Sequence, residues 1–301
     1  MAAAPVVVGC IPNVSEGRDP AVIARLAGAV RDSGALLMDV HSDPDHHRSV
    51  FSFLGGPGVV EAAVLALART ALETIDMRRH QGAHPRIGAL DVVPIVPLRG
   101  CSLADAVVLA HRVGARIAER HHVPVYFYGE AARRDHRRRL PDARRGGYEA
   151  LAERLTTPEG VPDEGPARFD PRAGAVLVGA RDILVAFNVW LDSSDLEAAR
   201  QIARVVRESS GGLPGVQALG LALPSRGLVQ VSMNLLDYRR TPIPVAFDAV
   251  LREAARRGIG VRRGELVGVA PAAALAGRAP ESVGLQDFTS DRRLETWLAK
   301  V

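Results

Sequence analysis

The chain has 301 residues, 47% hydrophobic and 24% charged, with a formal net charge of +4; that length and balance suit one large or two ordinary globular domains. No apolar run approaches the roughly 18–20 residues that span a bilayer, and the start, Met1-Ala2-Ala3-Ala4-Pro5, lacks the charged and apolar regions of a signal peptide. Two cysteines, Cys10 and Cys101, and a single lysine, Lys300, leave no disulfide framework, no Cys-pair metal site, no interior Schiff-base amine and no Gly-Lys-Ser/Thr phosphate loop, so the composition points to a reduced, cytoplasmic protein.

Val6–Pro12 reads as a buried strand closed by the turn residues Asn13, Ser15, Glu16 and Gly17. Helical spacing of Val22, Ile23, Leu26 and Val30 predicts a helix over 20–32, followed by strands at 35–41 and 48–54. Gly55-Gly56-Pro57 introduces a helix running to about Ile75, and a strand near 90–98 completes a β-α-β-β-α-β order. A helix over 103–122 and a strand over 125–128 extend this half. The interval 132–174, rich in Arg, Pro and Gly, reads as a connection; such length without regular structure points to function or disorder. The second half repeats the order, with strands at 183–191, 216–223, 228–235 and 259–269 and helices at 195–209 and 245–257. The predicted class is α/β (α+β), with two ferredoxin-like β-α-β-β-α-β subdomains, each sheet carrying helices on one face. Pairing the free faces would bury both sheets and leave a cleft between them.

Three patches could carry chemistry. His80-Gln81-Gly82-Ala83-His84-Pro85-Arg86-Ile87-Gly88-Ala89-Leu90-Asp91 places imidazoles and a guanidinium at the approach to a strand, where histidine can move protons near neutral pH; a turn that merely satisfies backbone groups is the alternative. Asp39-Val40-His41-Ser42-Asp43-Pro44-Asp45-His46-His47-Arg48 joins two strands; its spacing matches no metal motif, leaving a ligand-facing polar hairpin or a solvated turn. The run Arg133-Arg134-Asp135-His136-Arg137-Arg138-Arg139, with Arg144 and Arg145 beyond, reads as a solvated arginine-rich face, with a nucleic-acid patch or a dock for the carboxylates of a substrate tail as the functional alternatives. It lacks the interleaved aromatics of a nucleic-acid platform.

The order of the motifs is more specific than any one of them. Cys10-Ile11-Pro12-Asn13-Val14-Ser15-Glu16-Gly17-Arg18, His47-Arg48-Ser49-Val50-Phe51, His84-Pro85-Arg86-Ile87-Gly88-Ala89-Leu90-Asp91, VPVYFYGEAA over 123–132, Gly179-Ala180-Arg181 with Ala186-Phe187-Asn188, and VQVSMNLLD over 229–237 resemble the formiminotransferase family from end to end. The resemblance implies an N-terminal subdomain with the connecting loop over 1–178 and a C-terminal subdomain over 179–301, with folate between facing sheets. It further implies transfer of a formimidoyl group from N-formimidoyl-glutamate to N5 of tetrahydrofolate as co-substrate, in a homodimer, with no metal and with neither nucleic acid nor membrane as partner. His84 takes the place of the catalytic acid/base. The folate-contacting loop corresponds to Gly165, Pro166, Ala167, Arg168, Phe169, Asp170, Pro171, Arg172, Ala173 and Gly174, and Asn13, Asp39, His41, Arg48 and Arg86 are expected at the ligand, Arg48 on a carboxylate. Departures from the family pattern are His41 for a second aspartate, His47 for asparagine, Ala83 for glutamate, Glu164 for an aromatic residue and Trp190 for a small polar one. A formyl donor in place of the formimidoyl one, a folate-binding protein without turnover, and a nucleic-acid-binding protein are the competing readings. With the chain ending at Val301, a fused cyclodeaminase domain is not expected, and deamination of the product would fall to a separate protein.

Overall fold

The computed structural model describes residues 5–301; the first four residues, where the signal-peptide reading largely rests, lie outside the described residues. The chain divides into two compact units, the first reaching Asp182 and the second spanning Ile183–Lys300.

The first unit opens with β1 (Val7–Cys10) and β2 (Asn13–Val14), one extended stretch interrupted at Ile11-Pro12. Helix α1 (Pro20–Asp32) starts where the Asp19 side chain accepts the amides of Ala21 and Val22, with Pro20 in the first turn. Strands β3 (Leu36–Asp43) and β4 (Arg48–Gly55), α2 (Pro57–Thr74) and β5 (Leu90–Arg99) complete the anticipated order. Helix α3 (Leu103–His121), begun by a reciprocal Ser102–Asp105 capping box, leads to β6 (Val125–Gly129). Short helices α4 (Leu140–Ala143) and α5 (Leu151–Arg154) punctuate the connecting segment, which ends in β7 (Val176–Ala180).

In the sheet β4 pairs antiparallel with β3, β1 and β2, and β5 antiparallel with β1 and β2. The order β3-β4-β1/β2-β5 is that of a ferredoxin-like sheet. Strand β7, which the sequence reading does not mark as a strand, enters between β5 and β6, parallel to both. The expected boundary at 178/179 therefore falls inside a strand, and the units part after Asp182.

Alternation along the strands sets the layers. Val8, Cys10, Phe51, Phe53, Phe127 and Val178 point into a core with α1, α2 and α3. On the opposite face Val92, Tyr126, Tyr128 and Leu177 pack beneath Ile87, Ala143, Leu151 and Leu155, so the connecting segment roofs half of the sheet. That segment, expected to be irregular, is tied down residue by residue. The Tyr126 hydroxyl donates to the Gly160 carbonyl (2.8 Å), and Asp163 accepts both the Phe127 amide (2.8 Å) and Arg137 (2.8 Å).

The second unit contains β8 (Val185–Leu191), α6 (Leu196–Val206), β9 (Val216–Leu223), β10 (Leu228–Leu235), α7 (Ile243–Ala255), β11 (Val261–Val267) and a terminal α8 (Leu294–Leu298). Its four strands pair antiparallel in the order β11-β8-β10-β9, the same ferredoxin-like pattern. Phe187, Val189, Val231, Met233, Ile202 and Phe247 form its core. No helix among the described residues is long and apolar enough to cross a membrane.

Candidate functional site

The segment between Met77 and β5 lies across the end of the first unit's sheet, and two close approaches hold it. A Cβ on Gly82 would sit 2.2 Å from the His46 carbonyl oxygen, so the loop rests on the β3–β4 hairpin only because residue 82 has no side chain. The Ala83 amide then donates to Asp45 O (3.1 Å). On its other flank the Ala89 amide donates to Ala173 O (2.9 Å), and Gly174, at φ +70°, closes onto Ile87.

Between these clamps stands His84. Its Nδ1 lies 2.8 Å from Pro85 O. A carbonyl oxygen only accepts, so Nδ1 carries the hydrogen and Nε2 keeps its lone pair. Burial, and then the charges of Arg48, Arg144 and His46, hold its pKa well below the ordinary histidine value. At neutral pH the ring is therefore uncharged and able to accept a proton. The His46 ring is 5.7 Å away, centroid to centroid.

Beside it Asp91, fully buried at the start of β5, gathers three donors. Its Oδ2 accepts from Arg48 Nη1 (2.6 Å) and Arg144 Nη1 (2.9 Å), and its Oδ1 from the Ile87 amide (2.7 Å). Burial opposes ionisation, but the two arginines and the hydrogen bonds outweigh it and hold the Asp91 carboxyl below its ordinary value. Arg48 also donates from Nε to Asn13 Oδ1 (3.0 Å), whose own amide is fixed on Ile11 O. Arg144 Nη1 reaches Pro85 O as well (3.0 Å), the same oxygen that receives His84.

A second chain of contacts braces the loop. His80 donates from Nε2 to His47 O (2.7 Å) and accepts Arg86 Nε at Nδ1 (3.0 Å). Burial brings its pKa down to about 4, against the opposing hydrogen bond to His47. Its ring stacks on that of His47, 4.3 Å apart and 9° from parallel. His47, at φ +49°, faces Glu16 Oε1 (3.2 Å) through Nε2 and Gln81 O (3.2 Å) through Nδ1. That left-handed backbone suits asparagine, the residue usual here in the family pattern, and admits histidine. Arg86 continues the brace to Glu149, with Nη2–Oε1 at 2.6 Å and Nη1–Oε2 at 2.8 Å.

The structure thus brings together His84, Arg48 and Asn13. His41 and Asn13 both lie opposite Val50 across β3, β4 and β2, which places Asp39, His41 and Asn13 on one face of the sheet. Arg86 is engaged by His80 and Glu149, so it holds the turn. Of the ten-residue loop, Gly165 (φ +81°) sits against Val123, and Phe169 packs on Tyr148 at 5.5 Å. The Asp170 carboxylate accepts the Arg172 amide, Arg172 O accepts the Met77 amide, and the Tyr148 hydroxyl donates to Pro171 O. Pro166, Ala167 and Arg168 run along the outside, and Ala173 and Gly174 meet Ile87–Ala89.

The solvated reading of the arginine run fails at Arg137. It is fully buried, paired with Asp163, donates to Glu159 O and Val161 O, and lies 4.7 Å over the Tyr126 ring, with Arg154 4.6 Å from the same ring. Arg144, read in the same run, belongs to the His84 cluster. Nothing local distinguishes either from its exposed neighbours. In the second unit Asn188 Nδ2 (2.8 Å) and Trp190 Nε1 (3.2 Å) share Glu265 Oε2. Among the described residues no group of three or more His, Cys, Asp or Glu converges as a metal site.

Comparison with known proteins agrees with the motif order. Residues 7–181 match the profile described as "Formiminotransferase domain, N-terminal subdomain", and residues 186–281 match "Formiminotransferase domain". A "Glutamate formimidoyltransferase" of Thermoplasma acidophilum is 40% identical, the match covering 97% of this chain and 97% of that protein. The Streptococcus pyogenes protein of that name is 37% identical over 96% of this chain and 97% of its own length. A "Formimidoyltransferase-cyclodeaminase" of Sus scrofa is 45% identical over 89% of this chain, and here the match spans only 51% of the relative; the chain thus spans about half the length of these larger relatives. With both profiles matched in sequence and two relatives aligned nearly end to end, the chain belongs to the formiminotransferase domain family.

Proposed function

We propose that this protein is a glutamate formimidoyltransferase, a one-carbon transferase that moves the formimidoyl group of N-formimidoyl-L-glutamate to N5 of tetrahydrofolate. The observation that carries the reading is His84, held with Nδ1 on a carbonyl and Nε2 unprotonated, beside two arginines that share one carboxylate. His84 takes the proton that N5 loses as it attacks the formimidoyl carbon. It then returns one to the glutamate nitrogen as the old C–N bond breaks, so that protons balance across the transfer. A group in this role contributes about 10²–10⁴ in rate. Arg48 is suited to a substrate carboxylate by its forked donors. Asn13, Asp39 and His41 share the sheet face nearest to it, and the loop 165–174 supplies the folate contact, supported by its final residues meeting Ile87–Ala89. The unpaired cysteines Cys10 and Cys101 suit a reducing cytoplasm, and the family relation supports a homodimer.

The test is a donor panel. Purified protein and tetrahydrofolate are given N-formimidoyl-glutamate, N-formyl-glutamate or no donor, and glutamate and the modified folate are followed by mass spectrometry. Product from the formimidoyl donor, reduced about 10²-fold or more in His84→Ala with tetrahydrofolate binding kept, is expected. Product from the formyl donor alone would move the substrate, and near-normal turnover by His84→Ala would sink the proton-transfer role.

A further inference from the structure

The His84 cluster holds more positive charge than its own carboxylate absorbs. Two guanidiniums, those of Arg48 and Arg144, meet on the single buried Asp91. Of the carboxylates around it, Glu16 faces His47, Glu149 is paired with Arg86, and Asp43, opposite Arg48 across β3 and β4, accepts the amides of Asp45 and His46. Two little-exposed guanidiniums on one carboxylate leave room for a second anion to join them.

The two arginines are not equivalent. Arg48 spends Nε on Asn13 and Nη1 on Asp91. Arg144 spends only Nη1, on Asp91 and Pro85 O, and among the described residues its Nε and Nη2 have no hydrogen-bond partner. Those two nitrogens form one edge of the guanidinium, the edge that takes a carboxylate through two parallel hydrogen bonds. The Pro85 carbonyl receives both Arg144 Nη1 and His84 Nδ1, so the guanidinium and the imidazole meet on one oxygen, and the Arg144 charge bears on His84.

We propose that Arg144, carried in by the connecting segment, is the specificity-determining residue of the acyl-donor site and binds the donor's α-carboxylate, with Arg48 completing the charge. The inference rests on the glutamate reading above. It selects the α-carboxylate over the γ-carboxylate by bond counting. The α-carboxylate carbon is two bonds from the nitrogen that departs, whereas the γ-carboxylate is separated from it by the whole side chain. A binder next to the proton-transfer group meets the nearer one. Docking of that anion also offsets the two positive charges that bear on His84, so base strength rises when the donor is in place.

The experiment compares two amines and their N-formimidoyl derivatives on the full chain: L-glutamate, and 4-aminobutyrate, which lacks only the α-carboxylate. Wild type is expected to bind L-glutamate more tightly than 4-aminobutyrate by calorimetry or ligand-observed NMR. Arg144→Ala weakens glutamate binding, and kcat/KM for its formimidoyl derivative, by about 10–100-fold, the range for a lost charged hydrogen bond. The 4-aminobutyrate pair and the KM for tetrahydrofolate move less than about 3-fold under the same additivity argument. Arg144→Lys keeps the charge opposite Asp91 and loses the fork; it is expected to fold as wild type and still bind glutamate at least about 5-fold more weakly. Unchanged glutamate affinity in both variants, equal losses for both amines, or a wild type that does not bind glutamate overturns the proposal. A wild type without formimidoyl transfer, but with Arg144-dependent glutamate binding, overturns the transferase reading and leaves the carboxylate site standing.

Discussion

Asp91→Asn is the substitution that asks most of the cluster. The carboxylate is fully buried and accepts two arginines on one oxygen and the Ile87 amide on the other. An asparagine has one acceptor oxygen, so either the arginines or the amide lose their partner, and both guanidiniums lose the opposing charge. Breaking a buried pair from one side costs about 3–5 kcal/mol, because the remaining charge stays buried without compensation. For the first unit, which runs to Asp182, about 2–4 °C per kcal/mol gives a loss of about 6–20 °C in melting temperature. Differential scanning calorimetry on the full chain reads this. The reasoning makes a sharper demand through the double variant Asp91→Asn/Arg144→Met. Removing one surplus guanidinium relieves part of the penalty, so the double variant is less destabilised than the sum of the singles by about 1.5 kcal/mol or more. Additive effects, or a single variant within about 1 kcal/mol of wild type, would refute the account of Asp91 as a charge hub.

Arg137→Met leaves Asp163 buried without its cation and removes the ties to Glu159 O and Val161 O; we expect about 3–5 kcal/mol of destabilisation and faster protease cleavage within 132–164, seen by mass spectrometry. His80, with its folded pKa lowered to about 4, binds fewer protons folded than unfolded between pH 6.5 and about 4. Its stabilisation is whole above the unfolded value and is lost as pH falls through that window, by at most about 3–4 kcal/mol before solvent screening. His80→Gln keeps a donor and an acceptor, so its urea-unfolding stability is expected to fall less over that window, and parallel curves for the two proteins would remove His80 as the cause. Below about pH 4.5 Glu16 takes over. Burial raises its pKa, but His47 and the amides of Arg18 and Asp19 bring it down to about 2, so the stability it gives is lost towards that pH.

The double β-α-β-β-α-β order was legible because apolar spacing and turn residues are local signals; strands β9 and β10 match their predicted limits, while most ends shift by one or two residues. Strand β7 was not legible. Its five residues follow a long polar segment, and what makes them a strand is parallel pairing with β5 and β6, neither of which adjoins it in sequence. The motif order marked His84, Asn13 and Arg48. It left Asp91 without a role and Arg144 among arginines of the same appearance, because convergence on one buried carboxylate is a tertiary fact. Arg137 shows the same limit: a charge block reads as solvated until an aromatic ring and an aspartate enclose one of its members.

The place of β7 also orders events in time. Strand β6 is synthesised about fifty residues before β7 is complete, yet β7 lies between it and β5. A nascent chain that has released β5, α3 and β6 cannot join β6 to its sheet, because the seat between β5 and β6 is reserved for a strand still in the ribosome. Until that strand arrives, the roof over Tyr126 and Tyr128 has no fixed far end, and the Ala173–Gly174 clamp on the His84 segment does not exist. Assembly of the first unit is therefore gated by its last strand, at the cost of a long-range closure that slows folding. An arrested chain ending before Val176 would expose the edges of β5 and β6 to each other and to foreign strands.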